Sequence, residues 1–446
     1  MHSSSSRPRL SPALAALPLA LAVALCVQDA QASAFQLKEN SVQGLGRAFA
    51  GETAAPGDCS VVVNNPAAMS ELGDARCAQA DLNIINFSTK FRGGGTDAFG
   101  APLTGGSGGD GGVTKPVPAT YVTFPINSDW TLGAAISAPF GFETGFEDGW
   151  VGRYEALESK LQSIALTFSA SWRLSDQFSL GGSIIAQRTS AELTQAVDFG
   201  TILASPTNGA VLPQEADGWG GLKGDDWGYG FQIGALWKPT PNDRIGINYH
   251  SQIDHTLDGD ARFKVPSNIL PLLGGAFVNG GGMADFDTPW YVSASWWHDF
   301  NDRFSMGATA SFTHWSSFES LDIKYANPAQ APFAKPQFFQ WDDTWFFSVG
   351  GDYRLDDRWT LRAGVGYDQT PTQDTTRTPR VPDGDRTWLS FGVGYQYSDA
   401  LKLDAGFAHL WVDDGKIDHT ASTFSRLVGY HKNSGNILGI SGQYRF

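Results

Sequence analysis

The chain has 446 residues, among them 52 glycines and only 4 methionines, and a formal net charge of −15. An acidic balance excludes nucleic acid as a partner, because phosphate binding needs a clustered basic face. No run of about 18 apolar residues follows residue 30, which excludes helical membrane spans. No linker of Pro, Ser or charge divides the chain, so a single large architecture is expected.

Residues 1–34 read as a cleaved export signal. Arg7 and Arg9 form a positive start, Leu10 to Val27 is apolar, and Ala32-Ser33-Ala34 supplies the small-residue cleavage pattern, placing the mature start at Phe35. Cys26 raises lipoprotein processing as an alternative, but such sites want a small residue before the cysteine and Leu25 stands there. Export leaves Cys59 and Cys77, 18 residues apart, in an oxidising compartment, where an isolated pair reads as a disulfide. Two separate buried thiols are the alternative.

Beyond residue 77 a short turn recurs at Asn127-Ser128-Asp129, Ser175-Asp176-Gln177, Asn242-Asp243-Arg244, Asn301-Asp302-Arg303, Asp356-Asp357-Arg358 and Ser398-Asp399-Ala400. Asn, Asp and Ser suit tight turns because their side chains bond nearby backbone. Each turn opens an alternating run. From Trp359 to Asp368 the odd positions are apolar, and the even ones are small, polar or charged. Such period-two alternation marks a strand with two different environments. Longer irregular stretches separate the runs at about 93–116, 141–157, 191–226, 257–288, 321–342, 369–386 and 413–434.

Six short turns and seven long loops require fourteen strands. The even number, the aromatic residues near strand ends and the terminal Tyr444-Arg445-Phe446 predict an all-β fold, an antiparallel 14-stranded transmembrane barrel in a bacterial outer membrane. The barrel must close, because an open edge in lipid leaves backbone groups unpaired. Phe446 reads as the signal for the barrel assembly machinery, and outer-membrane lipid and lipopolysaccharide are the expected surroundings.

An ordered set of motifs then carries a resemblance over nearly the whole mature chain. Phe35-Gln36-Leu37, Gly44-Leu45-Gly46-Arg47-Ala48-Phe49 and Asn64-Asn65-Pro66-Ala67 come first, followed by Ala138-Pro139-Phe140-Gly141 and Gly152-Arg153-Tyr154. His314-Trp315-Ser316, Tyr367-Asp368-Gln369-Thr370-Pro371 and Pro382-Asp383-Gly384-Asp385-Arg386-Thr387-Trp388 complete it. The set resembles the FadL family of outer-membrane long-chain fatty acid transporters. The resemblance implies an N-terminal hatch over residues 35–77 plugging a barrel over 78–446. It further implies capture of ligand among the outer loops and passive diffusion to a tighter lumen pocket. Release would follow through a lateral gap at a kink in the third strand, here Trp130 to Phe140. Asn65, Pro66 and Ala67 are expected to touch that strand, with Gly141 permitting the bend and Asp368 joining the gate.

A fatty acid needs apolar lining and a few placed cations. Arg153, Lys160, Arg362 and Arg386 are candidates for the carboxylate, although lumen arginines also pair with acidic neighbours. Leu272, Leu273 and Phe277 are candidates for the capturing surface, since so apolar a loop outside the cell usually binds something. The runner-up substrate is an aromatic or alkane hydrocarbon. An outer-membrane lipid-modifying enzyme is the competing class, but no compact Ser/His/Asp grouping stands out. His250, His298, His314 and His409 lack metal-ligand spacing, and no cofactor is implied.

Overall fold

The computed structural model describes residues 34–421 and 424–446. The predicted signal segment up to residue 33 lies outside the described residues. Fourteen antiparallel strands form one closed barrel. They are β1 (Cys77–Thr96), β2 (Thr114–Pro125), β3 (Trp130–Ser137, resumed as Gly141–Gly145), β4 (Glu158–Arg173) and β5 (Phe178–Asp198). Next come β6 (Asp217–Thr240), β7 (Asp243–His250, resumed as Ile253–Lys264), β8 (Gly280–Thr288 and Tyr291–Asp299) and β9 (Phe304–Thr313, with Ile323–Tyr325 beyond it). The wall ends with β10 (Thr344–Arg354), β11 (Trp359–Asp368), β12 (Arg386–Gln396), β13 (Leu401–Val412 and Gly415–Thr420) and β14 (Arg426–Arg445). Closure comes from β14 pairing with β1 over its full length, from Cys77↔Arg445 to Thr96↔Arg426.

All six predicted turns are present, and their chemistry is the one their residues dictate. The Asn127 Oδ1 accepts from the backbone N–H groups of Asp129 (2.9 Å) and Trp130 (2.8 Å), and Asp356 does the same for Arg358 and Trp359 at 2.8 Å each. The alternation also sorts as expected. Trp359, Leu361, Val365 and Tyr367 face lipid, whereas Arg362 and Asp368 are buried in the lumen. Trp130 and Trp172 stack 5.6 Å apart near the turn side, as a girdle at a membrane interface does.

Three expected loops are shorter than the sequence suggests. Strands run to Asp198 and from Asp217, to Lys264 and from Gly280, and Gly415–Thr420 pairs with Arg426–His431. Above the membrane both faces of a strand meet water or loops, so polar and glycine-rich segments pair without showing alternation.

The segment from Ala34 to residue 76 fills the barrel. The hydroxyl of Ser41 caps α1 (Val42–Leu45), accepting from the Gly44 N–H at 2.8 Å, and Ser41 also bonds Asp58. Arg47 reaches Asp352 on β10 at 3.2 Å, and Arg362 bridges Asp352 (3.3 Å) and Asp404 (2.6 Å) beside it. Cys59 and Cys77 are bonded, with Cα atoms 6.6 Å apart. Cys77 is already the first residue of β1, so the bond ties the plug to the wall instead of closing within the plug.

Replacing both cysteines by Ser should loosen the plug. Closing a loop of that length is worth about 3 kcal/mol on the chain-entropy model. Hydrogen exchange of the amides from 42 to 64 should accelerate accordingly in the variant, and unchanged exchange would argue against a bonded pair.

Candidate functional site

The third strand carries the first feature of the site. β2 and β3 pair only from Thr120↔Ile136 down to Pro125↔Thr131, although β2 continues along β1 as far as Thr114. Above Thr120 the two strands part. Pro116 and Pro118 on β2 and Pro139 on β3 lack an N–H to donate, which suits strands with a free edge. Between Ser137 and Gly141 the third strand advances four residues, while its partner β4 retreats three, from Ala165 to Gln162. The extra residue makes a bulge at Ala138-Pro139-Phe140. Gly141 and Gly145 have no positive φ, and Gly141 directly follows the added residue and Pro139 in the bend.

The N-terminal segment occupies the parted edge. Gly141 N–H donates to the Phe35 carbonyl and Leu37 N–H to the Pro139 carbonyl, both at 2.8 Å, and Gln36 bridges Phe140 as an antiparallel residue pair. This delivers the Phe35 ring into a cage of aromatic rings. Its centroid lies 4.6 Å from that of Trp315, 5.3 Å from Trp341, 5.4 Å from Phe286 and 5.7 Å from Phe318. Beside Phe35 remains a slot of about 60 Å³, lined by Phe142, Leu161, Leu257, Phe286, Phe318 and Trp341.

Three cationic residues border this apolar lining, Lys160, Lys223 and Arg380. Arg380 sits on the 369–385 loop and is buried. Its guanidinium donates to Ser159 Oγ (3.1 Å), the Thr194 carbonyl (3.3 Å) and Gln195 Oε1 (2.6 Å). Among the described residues no carboxylate lies within ion-pair distance of it. Burial pulls its pKa down to about 10, with Glu155 opposing the shift. Sequence reasoning missed Arg380, because a lone Thr-Pro-Arg in a polar loop carries no signal of burial.

Arg380, Leu193, Leu222 and Leu321 also line a groove of about 710 Å³ among the outer loops, so slot and groove adjoin across these four side chains. Phe263, Phe277, Phe333 and Phe338 supply much of its apolar wall. Phe277 holds φ +57°, a left-handed conformation costly for a bulky residue, and it packs on Phe199 at 4.9 Å and Phe333 at 4.8 Å.

The other candidates fall elsewhere. Leu273 is buried in the loop cluster with Val197, Phe199 and Leu203, while Leu272 points to solvent, and neither lines the groove. Arg153 is held by Asp217 at 2.8 Å and by the Thr104 carbonyl at 2.6 Å, Arg362 by Asp352 and Asp404, and Arg386 by Asp383 at 2.5 Å. For these three arginines the acidic-neighbour alternative prevails, because a buried guanidinium must find compensation and adjacent strands offer carboxylates. Asp368 is buried opposite Arg386 on the neighbouring strand, at the loop-side end of the lumen.

The Asn65-Pro66-Ala67 turn lies against the third strand below its kink, Ala67 sharing a buried cluster with Ala135. Asn65 Nδ2 donates to the carbonyls of Thr53 (2.8 Å) and Ala235 on β6 (3.0 Å), and its Oδ1 accepts from Ala67 N–H at 3.1 Å. Ser171 on β4 donates to the Ala67 carbonyl at 3.0 Å. A Cβ at Gly234 would lie 2.0 Å from Asn65 Oδ1, and one at Gly181 2.3 Å from Ala67 N, so these glycines let the turn press on the wall. The kink is met instead by Phe35 to Leu37.

Glu39 follows the inserted segment and is fully buried. Burial pushes its pKa up to about 7 against the pull of Arg386 and Lys38. A raised carboxyl pKa means that folding takes up a proton. The resulting cost is absent below about pH 4.5, grows as pH rises through 7 and is constant above. Glu39→Gln should therefore slow hydrogen exchange of the plug amides at pH 8 and leave it near wild type at pH 4; equal exchange at pH 8 would refute the assignment.

A family model described as outer membrane protein transport protein (OMPP1/FadL/TodX) matches residues 23–446. The 47 kDa outer membrane protein of Pasteurella multocida is 31% identical over 439 residues, covering 96% of this chain and 97% of its own. A long-chain fatty acid transport protein of Escherichia coli is 30% identical over 414 residues, covering 88% and 90%. Among solved structures, a Pseudomonas aeruginosa FadL homologue superimposes with a TM-score of 0.87 at 33% identity, covering 92% of this chain and 99% of that one. A Pseudomonas putida toluene transporter shares the fold at a TM-score of 0.68 and 18% identity. The parted third strand, the inserted plug and these likenesses lead to one conclusion: the chain belongs to the OMPP1/FadL/TodX family of outer-membrane transport proteins for hydrophobic molecules.

Proposed function

We infer that this protein carries long-chain fatty acids inward by passive diffusion, without cofactor or energy source and without chemical change to the ligand. The observation that supports this reading is Arg380, a buried cation with only neutral partners, standing where the outer groove narrows into the apolar slot. A carboxylate there would gain charge-assisted hydrogen bonds while its tail lies against Phe142, Leu161 and Trp341. A hydrocarbon would leave the guanidinium desolvated against a substrate without counter-charge. That asymmetry favours an acid over the hydrocarbon alternative. It is also consistent with the fatty acid transport proteins among the relatives.

The slot as it stands is too small for a long acyl chain, since Phe35 occupies much of the cage. Entry of the tail must displace Phe35, and with it the backbone bonds from Phe35 and Leu37 to the kink. Those bonds cover the edge where β2 and β3 part, so their loss would uncover a lateral exit into the membrane. Capture, displacement of Phe35 and lateral release thus form one coupled sequence.

Arg380→Gln should weaken oleate binding by about tenfold or more, the scale of a lost hydrogen bond to a charged group, and leave binding of dodecane nearly unchanged. Equal affinity of wild type and variant for oleate would remove the basis for the carboxylate assignment.

The plug is expected to separate transit from capture. Asn65→Ala with Pro66→Ala frees the turn from β6 and should cut uptake of labelled oleate while surface binding persists. Phe277→Asp should weaken binding itself, since a buried apolar side chain of this size is worth about 1.5–3 kcal/mol. Proportional loss of binding and uptake in both variants would disprove the two-stage route.

A further inference from the structure

The outward face of the barrel changes character just above its loop-side aromatic girdle. Trp411 on β13 stands opposite Ser434 on β14, and two residues higher the apolar surface gives way to cations. Lys90 on β1 lies directly across from Lys432 on β14, and the next outward row places Arg92 and Lys416 on either side of Tyr430. All four cations are exposed. Lys90 has Asp110 at 3.5 Å, but Arg92, Lys416 and Lys432 have no carboxylate within ion-pair distance among the described residues.

The opposite side of the same zone is built differently. There Arg188 pairs with Asp225 at 3.0 Å, Lys223 with Glu192 at 3.0 Å, Arg262 with Asp260 at 3.1 Å and Lys324 with Asp285 at 3.0 Å. A chain of net charge −15 has carboxylates to spare, yet it leaves three cations uncompensated in one place. Like charges directly opposite each other on adjacent strands destabilise a sheet unless an anion stands between them. The Arg426–Asp418 pair (2.7 Å) bounds the patch without neutralising its centre.

We propose that Lys90, Arg92, Lys416 and Lys432 form a docking surface for the phosphorylated headgroup of lipopolysaccharide in the outer leaflet. The height of the patch, one step above the girdle on the loop side, is where lipid phosphates lie, and Arg and Lys are the side chains that meet them. Tyr430 gives the sugar ring a face to rest on. The acyl chains then run down past Trp411, Leu438 and Ile440, which are exposed on the same wall.

The test uses the full-length mature protein in dodecyl maltoside, titrated with diphosphoryl lipid A, dephosphorylated lipid A and phosphatidylglycerol. Wild type should bind diphosphoryl lipid A at least about tenfold more tightly than either other lipid. The triple variant Arg92→Gln, Lys416→Gln, Lys432→Gln should lose most of that preference. A control with Arg188→Gln, Lys223→Gln and Lys324→Gln should keep it. Heat-modifiable migration verifies folding of each barrel, and Lys432→Gln alone serves if the triple variant fails that check. Unchanged preference in the patch variant, equal loss in the control, or equal binding of phosphatidylglycerol by wild type would each overturn the proposal.

Discussion

Every backbone N–H and C=O facing lipid must find a partner within the protein, and this requirement shapes the whole molecule. It forces β14 back onto β1 along twenty residue pairs and leaves no free edge at the ends of the chain. It also explains how the seam between β2 and β3 is completed. Where β2 and β3 part, the bulged strand would expose unpaired groups, and the backbone of Phe35 and Leu37 supplies the missing bonds. The plug is therefore part of the hydrogen-bonding of the wall. A segment that completes a strand edge can be withdrawn only if something offsets the lost bonds, and the proposed route assigns that role to the entering ligand.

Electrostatics divides the lumen into two regions with different tasks. Low in the barrel, Arg47, Arg362, Asp352 and Asp404 form a compensated network between plug and wall. Removing one member would leave a buried charge uncompensated, so the network holds this end of the plug in place. Near the loops, Arg380 is buried with neutral partners alone, which is what the proposed carboxylate contact rests on. The plug is thus anchored at Arg47 and at Asn65, while its leading residues are held by ring contacts, two backbone bonds to the kink, and the bonds of Ala34 N–H to Asp383 and of Thr313 to Gln36.

The sequence was most legible where one physical rule governs many residues. Turn chemistry at Asn127, Ser175, Asn301 and Asp356, together with period-two alternation, was enough to count strands and assign their faces. It was least legible where a residue's role depends on what lies across the barrel. Arg362 looked like a ligand partner from its inward direction, Arg386 from its place at the loop end of a strand and Arg153 from its Gly-Arg-Tyr motif, whereas their acidic partners across the fold could not be inferred. Leu272 and Leu273 share one apolar run, yet one faces solvent and the other packs in a loop cluster. Arg380 gave no signal, since its burial arises from Ser159, Thr194 and Gln195, far away in the chain.

Taken alone, the sequence determined a closed fourteen-stranded barrel and its orientation of long loops against short turns, while a plug before the first strand was implied only by the family resemblance. Periodicity and turn residues act locally, so they can be read locally. The tertiary structure decided which segment meets the kink, which cations are compensated and where the groove narrows. Those outcomes depend on strand register and on a plug threaded through the closed barrel, which bring Phe35 to Trp315 and Asn65 to Ala235 across hundreds of residues of chain. No spacing along the sequence encodes such distances, because they exist only once the barrel has closed.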